Sequence, residues 1–188
     1  MGVVDRLCRS IVFGLCLGVP AGSAFAQDMP PIPKPGPEHQ LFKEDEGTWN
    51  AKIEIFPGPG AAPMVSTGVE ISTIGCGGLC LITDFKGEMM PGQPFHGHGT
   101  AAYDPQKKKY VGNWTDSMSR GIATSEATYD AATKRATGVM EGADASGKMV
   151  RSRTVVDYKG TTRIFSIYSA GPDGKEAETM RITYTRKP

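Results

Sequence analysis

Two histidines on one short stretch, His96 and His98, are the residues of this chain best spaced for metal chemistry. Side chains two positions apart on a β-strand project from the same face, so both imidazoles could reach one ion. A complete site needs further ligands, but His39 is the only other histidine. The alternation of the stretch places Phe95 and Tyr103 on the opposite face, which we assign to the interior. We therefore predict that both histidines point outward, with a His-x-His metal site as the alternative.

Trp114 and Asp116 form a second candidate pair. Alternation puts both on the face of Tyr110, which we also assign to the interior. A buried carboxylate must be paired or hydrogen-bonded, and such groups often mark binding sites. The alternative is that Asp116 is a turn residue that binds its own backbone. The predicted ligand-contacting residues are Trp49, Tyr103, Tyr110, Trp114, Asp116 and Met118.

The remaining chemistry of the chain is limited. Four arginines are possible partners for an acidic ligand, although at least half should lie on an outer wall: Arg151, Arg153, Arg163 and Arg181. Haem held by a late histidine is excluded, because no histidine occurs in residues 99–188. We predict no cofactor and no catalytic residue, with an enzyme that uses His96, His98 or Asp116 as the alternative.

Cys76 and Cys80 are the only cysteines that follow residue 26. They bracket Gly77 and Gly78 at a turn between two strand-like segments, close enough for a disulfide. An oxidising compartment would favour that bond. A Cys-x3-Cys metal or redox pair is the alternative, but it lacks other ligands nearby.

Period-two alternation separated by turn residues predicts the elements that would position these side chains. Ten strands are predicted at residues 48–56, 64–75, 79–87, 95–103, 109–117, 120–129, 134–142, 149–158, 161–169 and 177–186. Each connection is short enough for a hairpin. A meander of this length leaves two edge strands with unpaired backbone groups unless the sheet closes on itself. The prediction is an all-β, ten-stranded, antiparallel up-and-down barrel.

One short helix precedes the first strand. Pro37 suits the first helical position, acidic residues follow it, and Gly47 is expected to end the helix. We predict that this helix caps one end of the barrel and that Trp49 fills that end. Closure would bring Arg186 over Trp49, an arrangement worth about 0.5–2 kcal/mol. The alternative is that Trp49 is simply a core residue.

The first 26 residues are typical of a secretory signal. Arg6 and Arg9 supply positive charge, residues 11–19 are apolar, and small residues stand at Ala24 and Ala26. The apolar run is shorter than the roughly 20 residues that span a bilayer. We expect cleavage before Gln27, an exported periplasmic or extracellular protein, and no membrane span after cleavage.

Three segments follow from this assignment: a signal peptide at 1–26, a leader at 27–37 with five prolines, and one domain at 38–188. Loss of the signal removes two arginines and one aspartate, so the formal charge falls from +1 to zero. A neutral domain has no electrostatic reason to bind nucleic acid, and we expect no such partner. The oligomeric state stays open.

Several motifs resemble known families. Gly47-Thr48-Trp49 after a short helix is similar to the Gly-x-Trp opening of calycin barrels, which include lipocalins and fatty-acid-binding proteins. Further motifs resemble the bacterial domain-of-unknown-function family numbered 1579: Pro35-Gly36-Pro37-Glu38-His39, Phe85-Lys86-Gly87-Glu88-Met89, Tyr103-Asp104, Lys108-Lys109-Tyr110-Val111-Gly112-Asn113-Trp114-Thr115-Asp116-Ser117-Met118, Gly171-Pro172-Asp173-Gly174-Lys175-Glu176 and Ile182-Thr183-Tyr184-Thr185-Arg186. The resemblance implies a calycin-like barrel and brings no assigned catalytic residues.

Three classes of function are compatible with these predictions. The leading one is a binding protein whose apolar lumen holds a small hydrophobic or amphipathic molecule. The second is a structural or interaction protein whose lumen is filled by Trp49, Trp114 and other large side chains. The third is the metal-dependent or carboxylate-dependent enzyme already described.

Overall fold

Ten antiparallel strands in the described part of the chain close into one barrel. They are β1 Gly47–Ile55, β2 Met64–Gly75, β3 Cys80–Met90, β4 Gln93–Asp104, β5 Lys109–Asp116, β6 Ala123–Asp130, β7 Arg135–Ala143, β8 Met149–Lys159, β9 Thr162–Ala170 and β10 Glu176–Arg186. Each strand pairs with the next along the chain, and β1 also pairs with β10 to close the sheet. The predicted all-β, ten-stranded antiparallel barrel is therefore confirmed.

The structure is a computed structural model that describes residues 31–58, 60–144, 146–171 and 174–188. The predicted signal peptide and residues 27–30 of the proline-rich leader lie outside the described residues. Residues 33–188 form one compact unit. None of the helices in the described ranges has the length and hydrophobicity needed to cross a bilayer.

The predicted short helix is present before β1. A 3-10 turn at Pro37–His39 leads into α1, Gln40–Asp45, and proline occupies the first helical position as expected. Leu41 and Phe42 are buried beneath it. Gly47, expected to end the helix, instead begins β1 with a φ of +128°, while Glu46 makes the last helical hydrogen bond.

The predicted strand limits differ from the observed ones by more than one residue at two turns. β3 runs to Met90 instead of residue 87, and β4 begins at Gln93 instead of residue 95. Gly92, with a φ of +78°, allows a turn of only two residues there. β6 begins at Ala123, three residues later than predicted, because the side chain of Asp116 holds the preceding segment in a turn.

Large and small side chains are unevenly distributed around the interior. The packed core combines large residues from β1, β3, β4 and β10, chiefly Trp49, Ile53, Phe85, Phe95, Ile182 and Tyr184. The inward residues of β6 and β7 are mostly small, namely Ala123, Ser125, Ala127, Ala136 and Gly142. Because these side chains are short, they leave space in the interior, and the resulting cavity is lined by residues of all ten strands.

Candidate ligand-binding lumen

The interior of the barrel contains a cavity of about 560 Å³ that is partly open to solvent. That volume lies within the range of small-molecule sites, roughly 300–1,000 Å³. Its apolar lining includes Leu41, Phe85, Phe95, Met140, Val150, Val156, Phe165, Ile167 and Met180. At one end the lining includes Phe42 of α1, and at the other it includes Ser119 and Asp144 of the inter-strand loops. We call the first the helix-capped end and the second the loop end.

Three of the predicted ligand-contacting residues line this cavity, namely Tyr110, Trp114 and Asp116. The Tyr110 hydroxyl donates a hydrogen bond to the carbonyl oxygen of Glu38 at 2.8 Å, which ties the segment before α1 to the barrel wall. Burial raises the pKa of Tyr110 to about 12, so the hydroxyl keeps its proton at neutral pH.

The other three predicted contacts, all described residues, are not among the lining side chains. Trp49 is only 1% exposed, and its Nε1 donates to the carbonyl oxygen of Asp45 at 2.8 Å. The ring of Tyr103 packs against Tyr110 at the barrel end, with centroids 5.2 Å apart. Met118 is 45% exposed, because its strand has already ended in the turn held by Asp116.

Both predicted roles of Asp116 are observed: its side chain lines the cavity, and it also accepts hydrogen bonds from the backbone of the turn that follows it. Its Oδ2 accepts from Trp114 Nε1 and from Ser119 Oγ, each at 3.1 Å. Its Oδ1 accepts from the backbone N–H groups of Met118 at 2.9 Å and Ser119 at 2.8 Å. The carboxylate therefore orients the Trp114 indole and fixes the loop at the same time.

Two glycines of β4 make room for the Trp114 ring. A Cβ atom added at Gly97 would lie 2.1 Å from Trp114 Cζ2, and one at Gly99 would lie 2.8 Å from Trp114 Cε3. The indole thus lies flat against the backbone of β4. In the sequence, the Gly97-His98-Gly99 spacing is the pattern that could have indicated this close contact between the Trp114 ring and the backbone of β4.

Both candidate metal ligands lie on the outer surface. His96 and His98 are exposed, whereas their neighbours Phe95 and Gly97 are buried. The Nδ1 atom of His98 lies 2.8 Å from Oδ1 of Asp84 on β3. Among the described residues, no group of three or more histidine, cysteine, aspartate or glutamate side chains is arranged to hold a metal ion.

A buried ionic cluster lies at the helix-capped end of the cavity and was missed by sequence reasoning. Arg163 of β9 donates from Nη1 to Asp45 and from Nη2 to Glu70 of β2. Each of these three residues is at most 8% exposed, and all of them line the cavity. The guanidinium also lies against two rings, 4.3 Å from the centre of Tyr184 and 4.8 Å from that of Trp49.

Polar neighbours complete this ionic cluster. The Tyr158 hydroxyl donates to Asp45 Oδ2 at 3.1 Å, and the Ser72 hydroxyl donates to Glu70 Oε1 at 3.0 Å. Burial raises the pKa of Asp45, and this outweighs the opposing effect of Arg163. Two carboxyl groups share one guanidinium, so the cluster has an excess of acid.

For this cluster, the sequence indicated the arginine but not its acidic partners. Arg163 was a candidate partner for an acidic ligand, and it alternates with the apolar Phe165 and Ile167 on the inner face of β9. Its acidic partners lie 118 and 93 residues away along the chain. The other three candidate arginines form ion pairs on the outer wall, Arg151 with Glu141, Arg153 with Glu176 and Arg181 with Glu178.

Cys76 and Cys80 are joined by a disulfide, with their Cα atoms 5.5 Å apart. The bond spans the 3-10 turn Cys76–Gly78 between β2 and β3. Gly77 has a φ of +66° there, which a glycine adopts without strain. The bond lies at the turn, and neither cysteine is among the residues that line the cavity.

A closed antiparallel barrel with a short helix over one end and a largely apolar interior defines a calycin-like barrel protein. Comparison with family models makes the assignment specific. The chain belongs to the family described as "Protein of unknown function (DUF1579)", whose model matches residues 34–186. The resemblance seen in the sequence motifs is thereby confirmed.

A solved structure with a similar fold supports the architecture. The crystal structure of Rv2717c from M. tuberculosis matches with a TM-score of 0.58 at 10% identity, covering 81% of this chain and 99% of that chain. At this identity the match shows the fold alone. A de novo designed fluorescence-activating β-barrel matches with a TM-score of 0.42 at 15% identity, covering 78% of this chain and 97% of that one. A redesigned β-barrel matches with a TM-score of 0.38 at 13% identity, covering 78% and 95%. No curated protein matches the sequence.

Proposed function

We propose that this protein binds a small hydrophobic or amphipathic molecule inside its barrel. The observation that carries the proposal is the cavity of about 560 Å³, which reaches from α1 to the loop end. A barrel that serves only as a structural element gains stability from a filled interior. Here Trp49 is buried and Trp114 is packed on β4, yet the interior keeps an open space that is lined in part by the small side chains of β6 and β7.

The mechanism of binding follows from the lining. Burial of an apolar ligand chain against the apolar lining contributes a favourable free energy of roughly 25 cal/mol per Å² of surface removed from water. The closed strand pairing keeps the walls rigid, so little ordering of the protein opposes binding. Ligands would enter at the loop end, through the loops near Pro91 and Ser117, because α1 covers the other end.

Blocking the cavity tests this proposal. Ser125 lines the cavity, whereas Thr124 beside it on β6 faces outward and is exposed. Ser125→Phe is expected to weaken binding of the neutral apolar dye Nile red about tenfold or more, because the new ring occupies the lumen. Thr124→Phe is the matched control and should leave dye affinity unchanged.

Two results would contradict the proposal. One is a wild-type protein that neither enhances Nile red fluorescence nor retains a small molecule in native mass spectrometry after purification from its host. The other is equal loss of dye binding in Ser125→Phe and Thr124→Phe, which would place the dye on the outer surface. Thermal unfolding of both variants verifies that each is folded.

We further propose that the chain is exported after removal of residues 1–26. The tripartite pattern of that segment and the disulfide between Cys76 and Cys80 support this, since disulfides persist in oxidising compartments. Intact mass spectrometry of the protein from its host should give a chain that begins at Gln27 and has no free thiols. A reduced chain that still begins at Met1 would contradict export.

A further inference from the structure

We propose that the lumen selects amphiphiles by the charge of their polar group, accepting amines and alcohols and rejecting carboxylates carried on the same chain. This inference rests on the proposed binding function and adds the chemical class of the ligand. The cavity is the site, and the side chains at its two ends decide which polar group it accepts.

The one cationic side chain of the lining is already neutralised. Among the described residues that line the cavity, Arg163 is the only arginine or lysine. Its Nη1 and Nη2 atoms donate to Asp45 and Glu70, so the edge that would bind a ligand carboxylate is occupied. Its flat faces lie against the rings of Tyr184 and Trp49. A third carboxylate at this end would lie beside two others.

The charges of the lining are unbalanced toward the negative sign. Four carboxyl side chains line the described cavity, those of Asp45, Glu70, Asp116 and Asp144, against the single guanidinium. Arg151, Arg153 and Arg181 are held in ion pairs on the outer wall, whereas the exposed Lys148 contributes positive charge near Asp144. In a low-dielectric interior this excess repels an anionic group and attracts a cationic one.

The loop end offers hydrogen-bond acceptors as well. Asp116 Oδ2 accepts from the Trp114 indole, and Asp144 Oδ1 accepts from the backbone N–H of Ser146 at 2.8 Å and of Lys148 at 3.1 Å. A carboxylate has about four lone-pair positions. Those of Asp116 are already used by four donors of the protein, whereas the described donors to Asp144 all reach its Oδ1 atom. An ammonium or hydroxyl group can therefore donate to Asp144 Oδ2, and a ligand carboxylate cannot.

The test compares three probes that share one alkyl chain, namely dodecylamine, dodecanol and laurate. Each is titrated at neutral pH, below its micelle concentration, against the protein loaded with Nile red. Dodecylamine and dodecanol are expected to displace the dye, with laurate weaker than dodecylamine by about tenfold or more because of the charge of the lining. Laurate that binds as tightly as dodecylamine would overturn the inference.

Failure of this inference is distinguishable from failure of the proposed function. If Nile red binds and none of the three probes displaces it, headgroup selection is wrong while lumen binding stands. If Nile red itself does not bind, the proposed function fails and this inference fails with it.

A variant comparison locates the selectivity. Glu70→Gln removes one carboxylate from Arg163 and should raise the laurate-to-dodecylamine affinity ratio about tenfold, because the cluster then has one guanidinium and one carboxyl group and loses its excess of negative charge. Asp45→Asn carries the same expectation if Glu70→Gln does not fold. Glu176→Gln is the control, since Glu176 pairs with Arg153 on the exposed outer wall and should leave the ratio unchanged. A folded Glu70→Gln with the wild-type ratio would contradict the inference.

Discussion

Arg186 lies over the indole of Trp49, with its Cζ atom 4.2 Å from the ring centre. The two residues are direct partners in the pairing of β1 with β10 that closes the barrel. Arg186 also donates hydrogen bonds to the carbonyl oxygens of Glu44, at 2.7 Å, and Glu46. One side chain therefore joins the last strand to the first strand and to the end of the helix. The contact of Arg186 with Trp49 was predicted from the sequence.

Loss of Arg186 should weaken the closure of the barrel. Arg186→Met is expected to lower the free energy of unfolding by about 2 kcal/mol, since it removes a cation–π contact and two charge-assisted hydrogen bonds. Urea denaturation monitored by circular dichroism measures this. Arg151→Met is the control, because Arg151 is exposed and its pair with Glu141 contributes about 0–1 kcal/mol. Equal effects of the two substitutions would show that the closure contact is energetically unimportant.

Loss of Arg163 should be more costly, because it strands two carboxylates in the interior. Arg163→Met is expected to destabilise the protein by about 3–5 kcal/mol. The matched control is Arg151→Met, which breaks an exposed pair with Glu141 and should cost about 0–1 kcal/mol. Urea midpoints at neutral pH compare them. A small effect of Arg163→Met would mean that the cluster is not buried as described.

The raised pKa of Asp45 predicts a pH dependence of stability. Because folding makes this carboxyl hold its proton more tightly, its contribution to stability is full below the ordinary value of 3.8 and is lost as pH rises through the folded pKa. Asp45→Asn cannot ionise. The stability of this variant relative to wild type should therefore increase as pH rises above 3.8 through the folded pKa of Asp45.

Asp130 provides a control for which the expected change of stability with pH has the opposite sign. The hydroxyl of Thr133 and the backbone N–H of Ala132 donate to it and lower its pKa. Its contribution is therefore present above 3.8 and is lost as pH falls through the folded pKa. Relative to wild type, Asp130→Asn should become less stable as pH rises through that range. Urea denaturation of both variants over a pH series checks the signs, and parallel curves would contradict the assignment.

The glycine beneath Trp114 gives a prediction about the lumen wall. Gly97→Ala should destabilise the protein by about 1–3 kcal/mol and shift Trp114 fluorescence, because the new Cβ displaces the indole. Gly121→Ala is the control, since a Cβ there meets no atom within 4 Å. It should change stability by about 0.5 kcal/mol or less. Unchanged fluorescence in Gly97→Ala would mean that the ring does not lie on β4.

The ten strands, their order and the helix were determined by local patterns in the sequence. Alternation and turn residues act over a few positions, so the amino-acid sequence alone indicated the inner face of β5, with Tyr110, Trp114 and Asp116. The outward direction of His98 followed from the same period. Closure then required β10 to meet β1, which brought Arg186 to Trp49.

The shape and polarity of the lumen were decided only by the tertiary structure. The ionic cluster joins Asp45, Glu70 and Arg163 across 93 and 118 residues of chain, and no local pattern encodes such a meeting. The cavity itself depends on how large and small side chains are distributed around the whole circumference, with Phe85 on one side and Ala127 on the other. Alternation says which residues point inward, but only packing of all ten strands together decides whether those residues meet or leave space.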